Sequence, residues 1–113
     1  MSGAVRVTVL SVPGCPHVAR LEERLAPLLA ERPGVTVSRL VIATEEEAAR
    51  SGMHGSPTIL VDGVDPFAAP GCRASLSCRL YRDGAGQADG APTVSQLRHA
   101  LGAPPAPGAR GTG

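Results

Sequence analysis

The chain has 113 residues, 42% of them hydrophobic and 2% aromatic, with a formal net charge of +1, which allows one domain with an aliphatic core and leaves too little chain for two ordinary domains. The near-neutral balance gives no general attraction to nucleic acid or anionic membrane, and Phe67 and Tyr81 are too few aromatics for a base-stacking RNA module. No apolar run approaches the roughly 18–20 residues of a membrane span, and Met1–Ala4 do not begin a leader with a basic segment followed by an apolar one, so the expectation is a cytoplasmic protein in which three cysteines are free, catalytic or metal-binding before they are structural disulfides.

In chain order, Val5 to Leu10 alternates and is β-branched, the pattern of a strand buried on at least one face. Val12-Pro13-Gly14-Cys15-Pro16 reads as a turn, with Pro16 suited to the first turn of a helix, where its missing N–H costs nothing. Val18, Leu21, Leu25, Leu28 and Leu29 recur at helical spacing and predict an amphipathic helix from about 16 to 31, with Pro27 inside it and Arg32-Pro33-Gly34 stopping it. Val35 to Ile42 predicts a second strand. Thr44 and Glu47 form a capping-box pair at the head of a short helix, whose first-turn glutamates suit the helix dipole and which Gly52 ends. Thr58 to Val61 predicts a third strand, with Asp62-Gly63 as a turn after it. Residues 64–75 read as irregular. Leu76 to Arg82 alternates, with Leu76, Cys78 and Leu80 on one face, and predicts a fourth strand. A loop leads to a final helix over Thr93–Leu101, with Thr93 and Gln96 as a second capping pair. The order is β-α-β-α-β-β-α, in a domain covering residues 1–101. Residues 102–113 (GAPPAPGARGTG) read as a disordered Pro/Gly-rich tail.

Two motifs stand in that order. The strand running into Pro13-Gly14-Cys15-Pro16-His17-Val18 and a helix resembles the active-site turn of thioredoxin-like proteins, in which a cysteine caps the first helix. Gly52-Met53-His54-Gly55-Ser56-Pro57-Thr58 is similar to the segment in which the same superfamily carries a cis-proline beside that cysteine. The resemblance implies a thioredoxin-like α/β fold, a central mixed four-stranded sheet flanked by helices. Where the dithiol members have Cys-x-x-Cys, this chain has Val18 as the second position. The resemblance is therefore to a monothiol variant, which implies either a monothiol mechanism or a resolving cysteine from elsewhere. A second stretch, Gly55-Ser56-Pro57 through Asp65-Pro66-Phe67 to Ser77-Cys78-Arg79-Leu80-Tyr81, resembles small actinobacterial-type proteins labelled thioredoxin-like or alkylmercury-lyase-like.

Cys15 is the sharpest candidate for chemistry. A thiolate at a helix start faces unpaired N–H groups and the positive end of the dipole, and the thiolate is the nucleophilic form. Cys78 and Cys72 are the candidate second thiols, against a reading in which Cys78 is a small buried hydrophobe and Cys72 an exposed loop residue. Pro16 and His17 flank the nucleophile. The resemblance implies a cis bond before Pro57 and a Ser56 backbone offered to an extended peptide or thiol substrate, and His54, three residues before Pro57, is placed to face Cys15. No cofactor is implied. Three functions remain open from these residues. One is a thiol-dependent redox protein acting with a protein or small-molecule thiol or disulfide. Another is a soft-metal or organomercurial protein using cysteine thiolates, with His17 or His54 as further ligands, although no metal-ligand spacing is present. The third is a non-catalytic thioredoxin-fold interaction module. Nothing in the sequence sets the oligomeric state.

Overall fold

The computed structural model describes residues 5–68, 73–83 and 85–102. Its elements are β1 (Val5–Ser11), α1 (Val18–Glu31), β2 (Val35–Val41), α2 (Glu45–Ser51), β3 (His54–Ser56), β4 (Thr58–Val61), β5 (Ser75–Cys78), β6 (Tyr81–Arg82), β7 (Ala88–Asp89) and α3 (Val94–Leu101). The central sheet is mixed and runs β2-β1-β4. β1 lies parallel to β2, with Val5 opposite Val35 and Ser11 opposite Val41, and antiparallel to β4, with Val7 opposite Val61 and Leu10 opposite Thr58. A parallel β1–β2 pair requires a crossover, which α1 provides.

The strand period of two divides β1 between two apolar clusters. Val7 and Val9 join Ile59 on one face, under Leu21, Leu25 and Leu28 of α1 and Leu97 and Leu101 of α3. Leu10 joins Leu60, Ile42, Ala48 and Met53 on the other face, under α2. The two helices with the leucine stripes thus share one side of the sheet and the short helix covers part of the other. Pro27 sits on the exposed side of α1, where the carbonyl it leaves without an N–H partner can be met by water. Both capping boxes form: Thr44 with Glu47, and Thr93 with Gln96. The Ala43 N–H, with the Thr44 N–H and hydroxyl and the Arg50 charge, holds the Glu47 carboxyl below the usual range against the opposing effect of desolvation.

The mixed α/β architecture with a central sheet flanked by helices is as expected, but the sheet has three strands among the described residues, not four. Residues 76–82 do not add one long strand to it. β5 instead pairs in parallel with β3, and β6 pairs with β7. Two steps along β3 (His54 to Ser56) are matched by three along β5 (Ser75 to Cys78), so β5 carries a bulge. The extra residue breaks the alternation of Leu76, Cys78 and Leu80: Leu76 packs on the second cluster, whereas Cys78 and Leu80 are exposed. The buried residue is Tyr81, and turning it inward takes the chain out of β5 after Cys78. The helix start also differs. Gly14, at φ +72°, closes a turn in which the Cys15 N–H donates to the Val12 carbonyl (3.2 Å), and Pro16 and His17 complete the approach, so α1 begins at Val18 and not at 16. The predicted tail beyond Gly102 lies outside the described residues. No described helix is long and apolar enough to cross a membrane.

Candidate active site

The turn from Val12 to Cys15 leaves the C-terminal end of β1 and delivers a half-buried thiol three residues before α1. It is fastened to the chain before Pro57: the Val12 N–H donates to the Ser56 hydroxyl at 3.1 Å. Ser56 is almost fully buried, and the Ser56–Pro57 peptide bond is cis. Pro13, Gly14 and Pro16 are exposed around the cysteine. His17, the residue capping α1, makes no side-chain hydrogen bond to the helix, and α1 has no acidic residue in its first turn. The His17 imidazole lies instead against Gly90, close enough that a Cβ there would stand 2.3 Å from Nδ1.

Behind Pro57 lies a polar cluster that links four segments. Asp65 is 9% exposed. Its carboxylate accepts from Arg79 Nη1 (2.6 Å) and Nη2 (3.4 Å), from the Phe67 N–H (2.9 Å) and from His54 Nδ1 (2.7 Å), which must carry the proton because an ionised carboxylate only accepts. Burial works to raise the Asp65 pKa; the Arg79 and His54 hydrogen bonds, the Phe67 N–H and the Arg79 charge outweigh it and hold the carboxyl below its usual range. The Arg79 guanidinium sits 4.7 Å from the centre of the Tyr81 ring, and Phe67 meets that ring edge-on at 5.4 Å. The Tyr81 hydroxyl donates to the Pro57 carbonyl at 2.5 Å, and burial pushes its pKa well above the usual phenol value. Asp65, Arg79 and Tyr81 therefore brace the Pro57 segment from within, a role that local pattern does not reveal because 14 to 24 residues separate the partners.

The expected site residues are thus distributed as follows. The Val12–Ser56 hydrogen bond ties the turn that leads to Cys15 to the Ser56–Pro57 segment, while Pro16 and His17 follow Cys15 into α1, with His17 resting on Gly90. His54 is turned to Asp65, and its ring serves that internal pair, which corrects the expectation that it faces Cys15. The Ser56 carbonyl is not open to a peptide, because the Arg79 N–H already donates to it at 3.0 Å. Cys78 is exposed, not a buried hydrophobe, and is the in-register partner of Ser56 across β3–β5. Cys72 lies outside the described residues. Among the described residues, no three His, Cys, Asp or Glu side chains converge in a way that could hold a metal ion.

Along the first half of α1, Asp89 accepts from Arg20 (2.5 Å) and Arg24 (2.7 Å), while Arg24 also reaches the Ala91 and Pro92 carbonyls. The Arg24 hydrogen bond, with the Gly90 N–H and Arg20, lowers the Asp89 pKa to about 2. This clamp fixes the segment on which His17 rests. Two surface depressions, of about 460 and 540 Å³, lie elsewhere. One is lined by Arg6, Thr8, Thr36 and Asp62 at the opposite end of β1, the other by Phe67, Thr93, Gln96 and His99 beside α3, and neither is lined by Cys15.

No family model matches this chain, and no curated protein matches it. Among solved structures it is similar to the thioredoxin of Fasciola hepatica, at 17% identity and a TM-score of 0.49, over 88% of this chain and 80% of that one.

Proposed function

We propose that this is a thiol-dependent redox protein of thioredoxin-like, monothiol design, in which Cys15 is the nucleophile and the partner is a protein or small-molecule disulfide. The observation that carries the reading is the setting of Cys15: a partly exposed thiol on a turn anchored to buried Ser56, at the approach to a helix whose N-terminus has neither a side-chain cap nor an acid in its first turn. Such an end carries unpaired N–H groups and the positive end of the dipole, which offer donors to negative charge at this end of the helix. In α2 and α3 the corresponding N–H groups are taken by Thr44 and Thr93.

The chemistry follows from thiolate attack. The Cys15 sulfur attacks one sulfur of a disulfide RS–SR, forming Cys15–S–S–R and releasing RS⁻; a second thiolate attacks the mixed disulfide, leaving the pair oxidised and the substrate as two thiols. The occupied Ser56 carbonyl directs the substrate to the solvent side of the turn, past Pro13, Gly14 and Pro16. The three thiols suit a reducing, cytoplasmic setting. The test is a disulfide-exchange assay with excess low-molecular-weight thiol. Cys15→Ser is expected to abolish exchange while leaving the fold intact; full activity in that variant would refute the assignment.

A further inference from the structure

The in-register pairing of Cys78 with Ser56 places a second thiol on the other flank of the residue to which the Cys15 turn is tied. Ser56 is held on one side by the Val12 N–H and on the other by β5, whose Arg79 N–H takes its carbonyl. Paired residues of neighbouring strands present their side chains to the same face of a sheet, and the Ser56 hydroxyl points to the Val12–Cys15 turn. The bulge in β5 produces this placement: with regular pairing from His54–Ser75, Ser77 and not Cys78 would stand opposite Ser56. Adjacent strands run about 4.8 Å apart, which sets Cys78 one strand spacing from Ser56, the residue whose hydroxyl meets the Val12 N–H three residues before Cys15. β5 is a four-residue strand with Ser77 and Cys78 exposed, held by three-residue β3 and by contacts with α2, so a small shift at this end disturbs little of the core.

We propose that Cys78 is the resolving thiol of Cys15, and that the protein closes a reversible Cys15–Cys78 disulfide between the α1 turn and β5. The proposal rests on Cys15 as the nucleophile. Attack of Cys15 on RS–SR gives Cys15–S–S–R and one RSH; attack of Cys78 on the Cys15 sulfur breaks the Cys15–S–S–R bond, forms Cys15–S–S–Cys78 and releases the second RSH. One disulfide is reduced, one is formed, and the two thiol protons end on the two RSH. An external thiol then reopens the internal disulfide. In this design β5 lies along β3 and carries the second cysteine opposite Ser56.

The test treats reduced full-length protein with one equivalent of an aromatic disulfide whose released thiolate is coloured, followed by peptide mapping under non-reducing conditions. The expected result is two equivalents of thiolate released per chain and a Cys15–Cys78 linked peptide pair. Cys78→Ser and Cys78→Ala, at an exposed position, are each expected to stop at one equivalent with the mixed disulfide retained on Cys15, and Cys72→Ser to behave as the unaltered protein. Release of one equivalent by the unaltered protein, or linkage of Cys15 to Cys72 or to a second chain, overturns the resolving role and leaves the nucleophile standing. No modification at Cys15 overturns both.

Discussion

Asp65→Ala removes the acceptor on which His54, Phe67 and Arg79 converge, and leaves the Arg79 guanidinium, whose side chain is 10% exposed, without its countercharge. Removing one partner of a buried ion pair costs about 3–5 kcal/mol, against a total of roughly 5–15 kcal/mol for a domain of ordinary stability. We expect a loss of about 3 kcal/mol, or a fall of roughly 1–3 M in the urea midpoint at ordinary slopes. Arg79→Met in the Asp65→Ala background removes the stranded charge and keeps apolar volume against Tyr81, so it is expected to restore more than about 1 kcal/mol, a non-additivity that a double-mutant cycle reads directly. The pH dependence has a fixed sign. The folded-state pKa of Asp65 is depressed, so its stabilisation is fully present above the unfolded carboxyl value of about 3.9 and is lost as pH falls through the folded value. Urea unfolding followed by far-UV circular dichroism at neutral and acid pH tests both statements. A loss below about 1 kcal/mol, or strictly additive Asp65 and Arg79 losses, would refute the claim that this cluster braces the Pro57 segment.

Gly90→Ala drives a methyl group into the His17 ring; overpacking of this kind costs about 1–3 kcal/mol, and chemical denaturation is expected to show that cost vanish when His17 is also alanine. Thr93→Ala removes the cap that receives the Gln96 N–H and is expected to cost about 1 kcal/mol by the same measurement. Asp89→Asn removes a carboxylate whose pKa is lowered to about 2; because a depressed folded value stabilises only above the unfolded one, the variant's acid unfolding curve is expected to flatten between about pH 4 and 2, with high salt reducing the difference because the clamp is at the surface.

Local chemistry was legible where it decides local structure. The leucines of α1 recur at helical spacing and are buried as a stripe, and Thr44–Glu47 and Thr93–Gln96 cap the helices that their spacing foretold. β1 was legible too, because one strand serves both apolar clusters and its residues are apolar on both faces. What failed was the segment after β4. The alternation of Leu76, Cys78 and Leu80 looks like a regular strand, but a single bulge against β3 reverses the pleat, and no residue type in Ser75–Cys78 announces it. Sequence distance from Pro57 turns His54 toward Cys15, whereas its orientation is set by Asp65, eleven residues away. The signal for that cluster was present but mute: an aspartate before Pro66 reads as a turn residue, and only the fold brings Arg79 and Tyr81 to it. α1 starts two residues later than its pattern predicts, because Pro16 is a favourable first helical residue while the turn closed by Gly14 extends through His17.

The most direct test of the central claim is the rate of iodoacetamide alkylation at each cysteine of the reduced protein at neutral pH, resolved by mass spectrometry. Cys78 is exposed and Cys15 only partly so, so access alone favours Cys78. With Cys15 as the nucleophile the order is predicted to reverse, Cys15 reacting first. Alkylation of Cys78 ahead of Cys15, with Cys15 reacting slowly or not at all, would contradict it.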